Sequence, residues 1–270
     1  MTRSTDRRVP TSATVYPAVS ESALPLPLQV QEHRSLELQQ ASREMIRRMS
    51  EPAPKPSRDL DARGIIRFDM EDRRQADVFR DLRTQLLAIG GGGNFITLVA
   101  PVSEGSDGSF VATNLAAAFA FDESKTALLI DCNLREPTLH ERLGVRADNG
   151  GLSDFLEHPD MGIEKIIYPT GVPRLRLIPG GGRREGSGEY FGSFRMRDLI
   201  EVLRRRYSDR YLVIDAPPIG SSPDARILSG LADLAVVVAG YGCDKAASVK
   251  GAISVLEPSR IAGVVLNGAP

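Results

Sequence analysis

The sequence predicts a doubly wound α/β domain with a mainly parallel sheet and helices on both faces. Two observations support this fold class. Short apolar runs rich in β-branched residues recur along the chain, and segments with helical periodicity separate them. Strands that are apolar throughout and alternate with helices are typical of a parallel sheet buried on both faces.

Six strands and five helices are predicted beyond residue 64. The strands are expected at Ile96–Val102, Ala127–Ile130, Leu175–Ile178, Tyr211–Ile214, Leu234–Ala239 and Ile261–Leu266. The helices are expected at Asp72–Ile89, Ser109–Phe121, Phe194–Tyr207, Pro223–Leu231 and Lys245–Leu256. Ligands of such sheets bind at the carboxyl ends of the strands, so motifs at those ends are the candidates for a site.

The predicted domain organisation divides the chain after residue 63. Residues 1–63 are proline-rich and polar, a composition that favours a disordered tail, and a short helix is predicted within it over residues 28–49. Residues 64–270 form the α/β domain.

Whole-chain composition excludes several classes of function. A formal net charge of −1 gives no reason to expect nucleic acid as a partner. No apolar stretch has the ~18–20 residues that a membrane span needs. The two cysteines, Cys132 and Cys243, lack metal-ligand spacing and are predicted to be buried and reduced. We therefore expect a cytoplasmic protein without a span of its own.

A glycine-rich loop, Ser103–Ser109, lies between the first predicted strand and the helix that follows it. Strand, loop and helix in this order are the context of a phosphate-binding loop (P-loop), in which backbone N–H groups and the helix N-terminus face an anion. The candidate nucleotide-binding residues here are Gly105, Ser106, Asp107, Gly108, Ser109 and Phe110.

The loop lacks the lysine of a working P-loop. Gly108 stands at the lysine position, and Asp107 stands at the preceding glycine position, where its carboxylate would repel phosphate oxygens. Neither Lys125 nor Lys245 is a good substitute. Two alternatives stay open: the loop binds ATP or ADP with Mg²⁺, or it binds neither and is a structural turn in which Asp107 caps the helix.

Aspartates end two of the predicted strands. Asp131 follows the second strand and Asp215 the fourth, and a carboxylate beside the loop suits Mg²⁺ or its water shell. With the hydroxyl of Ser109 they form the candidate metal site. If the protein is an active enzyme, Asp131 and Asp215 are also its candidate catalytic residues.

In combination these motifs resemble the cytoplasmic domain of bacterial tyrosine kinases (BY-kinases) of the CpsD/CapB/Wzc type. The matching segments are Asp77–Arg83, Asn114–Ala116, Asp131–His140, Gly150–Leu156, Arg195–Met196 with Leu199, Asp215–Pro218 and Gly263–Asn267. The resemblance implies a P-loop NTPase scaffold of the deviant-Walker type, which the MinD and ParA group shares without the full set of motifs.

The resemblance also implies residue roles. Ser109, Asp131 and Asp215 match the magnesium-linked residues of the family, and Asn267 matches a residue that often contacts the nucleotide base. Asp77, Arg80 and Arg83 match a helix that packs neighbouring subunits, which implies a homo-oligomer interface. The alternative for the two arginines is the solvent-facing side of an amphipathic helix.

The function implied by the resemblance is in capsule or exopolysaccharide biosynthesis and export. The implied partner is a membrane polysaccharide co-polymerase (a chain-length adaptor) or a cognate BY-kinase, at the inner face of the plasma membrane. The missing lysine, Asn133 in place of a second carboxylate, and the lack of any tyrosine beyond Tyr241 favour a catalytically impaired regulator or scaffold. The alternatives are an active ATP-dependent tyrosine autokinase and a MinD/ParA-like positioning ATPase.

Overall fold

The structure, a computed structural model, describes residues 53–91, 93–206 and 209–268, together with positions 40, 44 and 46. These residues belong to one compact unit, Gln39–Pro270. The helix predicted over residues 28–49 falls, apart from those three positions, outside the described residues.

One seven-stranded sheet forms the centre of the domain, with the strand order β3-β4-β2-β5-β1-β6-β7. Its strands are β1 Ile96–Pro101, β2 Thr126–Asp131, β3 Tyr168–Pro169, β4 Leu175–Ile178, β5 Arg210–Asp215, β6 Leu234–Gly240 and β7 Ile261–Asn267. All neighbouring strands are parallel except β3, which is antiparallel to β4. The predicted fold class is confirmed. The sequence pattern missed β3, because a strand of two residues has no recognisable period.

The helices are α1 Ser57–Ala62, α2 Arg74–Ile89, α3 Gly108–Phe119, α4 Leu139–Arg142, α5 Leu152–Glu157, α6 Ser187–Phe191, α7 Phe194–Arg206, α8 Asp224–Ser229 and α9 Ala246–Val255. The helices that were not predicted, α1, α4, α5 and α6, have only four to six residues. Segments this short cover less than two turns, so helical periodicity cannot reveal them. None of the helices in the described part of the chain combines the length and the apolar character needed to cross a bilayer.

The apolar core lies in two clusters, one on each face of the sheet. Val99 of β1 packs in the cluster that contains residues of α2 and α3. Its neighbours Leu98 and Ala100 point to the other face, where residues of α7 and α8 complete the second cluster. Because successive side chains of a strand alternate between faces, burial on both faces requires strands that are apolar throughout.

Part of the segment before residue 64 packs against the core, and the domain boundary after residue 63 stays a prediction. Leu60 of α1 is 4% exposed and belongs to the core. The backbone N–H of Lys55 donates to the carbonyl of Gly171 at 3.0 Å, and its ammonium donates to the carbonyl of Thr170 at 2.7 Å. A single leucine in a polar segment is too weak a signal to reveal these contacts from the sequence.

The two cysteines differ in their surroundings. Cys132 is buried at the end of β2, as predicted, and Cys243 is exposed, contrary to the prediction. Cys243 lies in the turn between β6 and α9. The prediction failed there because a turn after a buried strand returns the chain to the surface.

Candidate nucleotide site

The P-loop region connects β1 to α3 at the carboxyl edge of the sheet. A single 3₁₀ turn, Glu104–Ser106, precedes α3, which begins at Gly108. The first N–H groups of a helix have no intrahelical acceptor, and the helix dipole places partial positive charge there. The loop therefore keeps the backbone features that favour an anion.

A cleft of about 460 Å³ lies over this loop. Four parts of the chain line it, namely the end of β1 with the loop, the segment after β2, the turn after β5 and two residues of the β4–α6 connection. The lining residues are Pro101, Ser103, Glu104, Asp107, Gly108, Ser109, Asn133, Arg135, Glu136, Thr138, Arg142, Arg183, Glu185, Ala216, Pro217, Pro218 and Ser221. Three of the predicted nucleotide-binding residues, Asp107, Gly108 and Ser109, are on the cleft wall. Ser106 is fully buried behind it.

Gly108, at the position of the missing lysine, packs against the proline that ends β1. An added Cβ atom would lie 2.7 Å from Cδ and 2.8 Å from Cγ of Pro101. The optimal separation between carbon atoms is ~3.5–4.0 Å. The loop in this conformation therefore has no room for any side chain at residue 108, a lysine included.

Asp107 caps α3 and forms an ion pair across the cleft. Its backbone is left-handed (φ 47°, ψ 56°), and Oδ1 accepts from the N–H of Phe110 at 3.2 Å. Nη2 of Arg142, at the end of α4, donates to the same oxygen at 2.7 Å. The cap is the one foreseen in the second alternative for the loop. Sequence reasoning missed Arg142, because a contact between residues 35 positions apart leaves no local pattern.

A second aspartate, Asp244, accepts hydrogen bonds from the loop. The carboxylate of Asp244 accepts the hydroxyls of Ser103 and Ser106 and the N–H of Gly240, each at 2.7 Å. The amide of Asn267, predicted to contact the base, donates to the carbonyl of Ser106 at 3.1 Å. The loop is thus held by hydrogen bonds to β7 and to the turn between β6 and α9, and base contact by Asn267 stays a prediction.

The two strand-end aspartates lie side by side. Asp131 of β2 and Asp215 of β5 are register partners, and both are buried. Asp131 accepts backbone N–H groups from Asn133 at 3.2 Å and Leu139 at 3.1 Å. Oδ2 of Asp215 accepts the hydroxyl of Ser109 at 2.6 Å, whereas its buried Oδ1 has no hydrogen-bond partner among the described residues.

Burial dominates the electrostatics of this pair. Burial raises the pKa of Asp131 above its ordinary value. Burial, and then the charge of Asp131, raise the pKa of Asp215 well above its ordinary value, while the Ser109 hydroxyl and the charge of Arg142 act in the opposite direction. Two buried carboxylates without a compensating cation are costly. This part of the site therefore favours a bound cation.

The residues present fit Mg²⁺ in part. Ser109 and Asp215 offer oxygen atoms that face each other, and the unpartnered Oδ1 of Asp215 is a free acceptor, which suits a hard cation. Within the described ranges, no group of three or more His, Cys, Asp or Glu side chains could hold a metal ion. A Mg²⁺ ion here would therefore depend on the Ser109 hydroxyl and on phosphate or water oxygens as well as on the carboxylates.

The residues predicted for an oligomer interface make contacts within the chain. Arg80 pairs with Asp77 at 3.2 Å, and its guanidinium lies 5.2 Å from the ring centroid of Phe68. Arg83 donates to the carbonyl of Ala118 at 2.9 Å. The helix α2 that carries them is thereby fastened to α3, and an intersubunit role for Asp77, Arg80 and Arg83 stays a prediction.

The parallel sheet, the strand-to-helix loop and the paired strand-end aspartates define an α/β protein of the P-loop NTPase class. The chain is 30% identical over 198 residues to the tyrosine-protein kinase CpsD of Streptococcus agalactiae, with 72% of this chain and 84% of CpsD covered. It is 32% identical over 194 residues to the tyrosine-protein kinase Wzc of Salmonella typhimurium. The chain belongs to the bacterial tyrosine kinase (BY-kinase) family.

Coverage differs between these relatives. The Wzc match covers 71% of this chain but only 26% of Wzc, so the chain spans about a quarter of the length of that relative. A scan against family models finds no match.

Solved structures agree with this assignment. The kinase domain of the Escherichia coli tyrosine kinase ETK matches with a TM-score of 0.65 and 26% identity, over 80% of this chain and 87% of that domain. The BceF tyrosine kinase domain matches with the same TM-score and identity, over 82% and 93%. The cell division ATPase MinD of Pyrococcus furiosus has a TM-score of 0.53 at 22% identity over 64% of this chain and 70% of MinD, a likeness of fold alone.

Proposed function

We propose that this protein regulates or scaffolds the assembly and export of an extracellular polysaccharide and that its phosphoryl-transfer site is impaired. Membership of the BY-kinase family supports the setting. The main support for impairment is the packing of Gly108 against Pro101, because it leaves no space for a cationic side chain at residue 108 of the loop.

The expected size of the impairment follows from the chemistry. Phosphoryl transfer depends on positioning and on stabilisation of developing charge, with little covalent chemistry by the protein. Loss of one preorganised electrostatic contact lowers the rate by about a hundredfold to a thousandfold. The carboxylate of Asp107 at the cleft, and Asn133 in place of a second carboxylate, act in the same direction.

In this proposal the protein works in the cytoplasm, at the inner face of the plasma membrane. A polysaccharide co-polymerase or an intact BY-kinase recruits it there, and it joins further copies through the face of α2 that carries Asp77, Arg80 and Arg83. ATP or ADP with Mg²⁺ is the proposed ligand of the cleft, held by the loop N–H groups, Ser109 and Asp215.

The alternative function is an active ATP-dependent tyrosine kinase. One observation favours it: the guanidinium of Arg142 is at the cleft, 2.7 Å from the loop carboxylate. An arginine from another helix can stabilise phosphate charge as a lysine does, and its planar group can bind two oxygens at once.

A kinase assay separates the two functions. The purified protein is incubated with Mg-ATP, and phosphotyrosine and released ADP are measured beside the CpsD protein of S. agalactiae. The proposal predicts phosphotyrosine formation at least about a hundredfold slower than that of CpsD. Asp215→Asn is the matched control, since it removes the buried charge with little change of shape. A rate similar to that of CpsD, abolished by Asp215→Asn, would establish the kinase instead.

A genetic test addresses the biological role. Deletion of the gene should change the amount or chain length of the extracellular polysaccharide. The gene encoding the Asp215→Asn variant should restore the original state, because a scaffold does not need phosphoryl transfer. An unchanged polysaccharide in the deletion strain contradicts the assembly role, and failure to restore it by a variant that still folds and binds Mg-ADP contradicts the non-catalytic role.

A further inference from the structure

We propose that Arg142 is the phosphate-binding cation of this site. In the absence of nucleotide it forms an ion pair with Asp107, and a nucleoside polyphosphate displaces the Asp107 carboxylate from it. The cation that the loop lost is thus supplied from α4, on the opposite wall of the cleft. The inference rests on the proposed nucleotide site, but binding and phosphoryl transfer are separate measurements.

Contacts with the end of β2 and with α3 position Arg142. Its helix α4 begins at Leu139, and the N–H of Leu139 donates to Oδ2 of Asp131 at 3.1 Å. At the other end of α4, the guanidinium carbon of Arg142 lies 5.9 Å from the ring centroid of Phe110, a residue of α3. A strand-end carboxylate and an aromatic ring therefore aim the guanidinium at the start of α3, where a phosphate group would bind.

The ion pair between Arg142 and Asp107 can open. The side chain of Arg142 is 26% exposed and that of Asp107 is 48% exposed. Ion pairs with this exposure stabilise a protein little, because water solvates the separated charges. A polyphosphate carries several negative charges and offers two oxygens to the planar guanidinium, whereas Asp107 uses a single oxygen for both Arg142 and the N–H of Phe110. Phosphate therefore competes well with the aspartate.

A second, independent observation points to a ligand. Asp215 is 1% exposed, and its Oδ1 has no hydrogen-bond partner among the described residues. Ser109, which donates to Oδ2 of Asp215 at 2.6 Å, lines the same cleft as Asp107 and Arg142. A ligand that carries a divalent cation and an anionic group satisfies both ends, with the cation at Asp215 and the anion at Arg142.

Asp107→Asn isolates the charge of the aspartate. Asparagine caps helices as well as aspartate does and tolerates left-handed backbone, so the φ of 47° and the cap are retained. Arg142→Ala removes the proposed cation. The matched control is Arg146→Ala, which removes an arginine four residues along the chain that is 90% exposed and pairs with Asp148 at 4.0 Å.

Calorimetric titration with Mg-ADP tests the inference on the full chain, with each variant first checked for folding by circular dichroism. Asp107→Asn should tighten binding by about tenfold and Arg142→Ala should weaken it by about tenfold or more, the range of a charge-assisted hydrogen bond. Arg146→Ala should leave the Kd unchanged. In the double variant Asp107→Asn/Arg142→Ala, the gain in affinity from Asp107→Asn should disappear, because no arginine remains to be released. Arg142→Lys, which keeps the charge without the planar group, should bind with intermediate affinity.

Three results would overturn the inference. Equal Kd values for the unmodified protein and Arg142→Ala would show that the arginine does not contact phosphate. A full gain from Asp107→Asn in the Arg142→Ala background would show that the aspartate acts by repulsion alone. Absence of Mg-ADP binding by both the unmodified protein and Asp107→Asn would remove the site. Phosphotyrosine formation, in contrast, contradicts the proposed function and leaves this inference intact.

Discussion

The substitution Gly108→Lys, which restores the lysine of a working P-loop, should destabilise this protein rather than repair it. Gly108 is buried, and its added Cβ atom would lie 2.7, 2.8 and 3.0 Å from the Cδ, Cγ and Cβ atoms of Pro101. The obstacle is the rigid ring at the end of β1, which cannot rotate away as a flexible side chain would. The strand or the loop must therefore move.

Two effects set the magnitude. Overpacking of a well-packed site costs about 2 kcal/mol. A lysine in the first turn of α3 adds a cation at the positive end of the helix dipole, which costs about 0.5 kcal/mol more. For a domain of this size, the sum of about 2.5 kcal/mol corresponds to a fall in Tm of roughly 5–10 °C.

The assay is thermal and urea denaturation of a set of variants. Gly105→Lys is the matched control, since an added Cβ there would lie 3.6 Å from Sγ of Cys243, an ordinary contact. It should lower Tm much less than Gly108→Lys. Pro101→Ala removes Cγ and Cδ, so its combination with Gly108→Lys should recover at least half of the loss.

An unchanged Tm for Gly108→Lys would refute the packing argument. It would show that the loop accepts a lysine without strain, and the proposed impairment of the site would then depend on residue 108 alone. Recovery of tyrosine phosphorylation by Gly108→Lys alone would have the same meaning. Recovery only in combination with Pro101→Ala would support the argument directly.

Two further predictions concern stability. Ser109→Ala should lower the free energy of unfolding by about 1–3 kcal/mol, because the buried Asp215 loses its 2.6 Å donor; urea denaturation checks this, and Ser109→Thr, which keeps a hydroxyl, should recover part of the loss. The pKa of Glu157 is about 2, below its ordinary 4.5, because Arg184 and Tyr190 donate to it. This stabilisation is present above pH 4.5 and is lost as the pH falls towards 2. Glu157→Gln should therefore cost about 1 kcal/mol at pH 7, a value reduced by partial exposure. A cost that is the same at pH 7 and pH 3 would contradict this assignment.

The fold and the location of the candidate site could be predicted from local patterns. Apolar runs of four to seven residues place the six longer strands, and the predicted and observed bounds of Leu175–Ile178 are identical. The strand–loop–helix order places the loop at Ser103–Ser109, and the register of β2 with β5 brings Asp131 and Asp215 together as their positions at strand ends imply. These features are accessible because each depends on neighbours in the sequence, and because parallel strands end at one edge.

Short or weakly patterned elements could not be predicted in this way. The helix α4 has four residues, and α1 contributes one buried leucine to the core, so neither has a period to detect. Their formation depends on contacts with a sheet that is already in place. The contribution of α1 to the core is therefore visible only in the tertiary structure.

By itself the sequence indicated a P-loop without its lysine, and it predicted the acidic residues that lie beside the loop. The tertiary structure alone decided what stands in place of the lysine: Pro101 fills the space beside Gly108, and Arg142 meets Asp107 across the cleft. Steric fit and the direction of a side chain depend on how separate strands and helices pack against one another in three dimensions. Contacts between residues distant along the chain leave no periodicity in a single sequence.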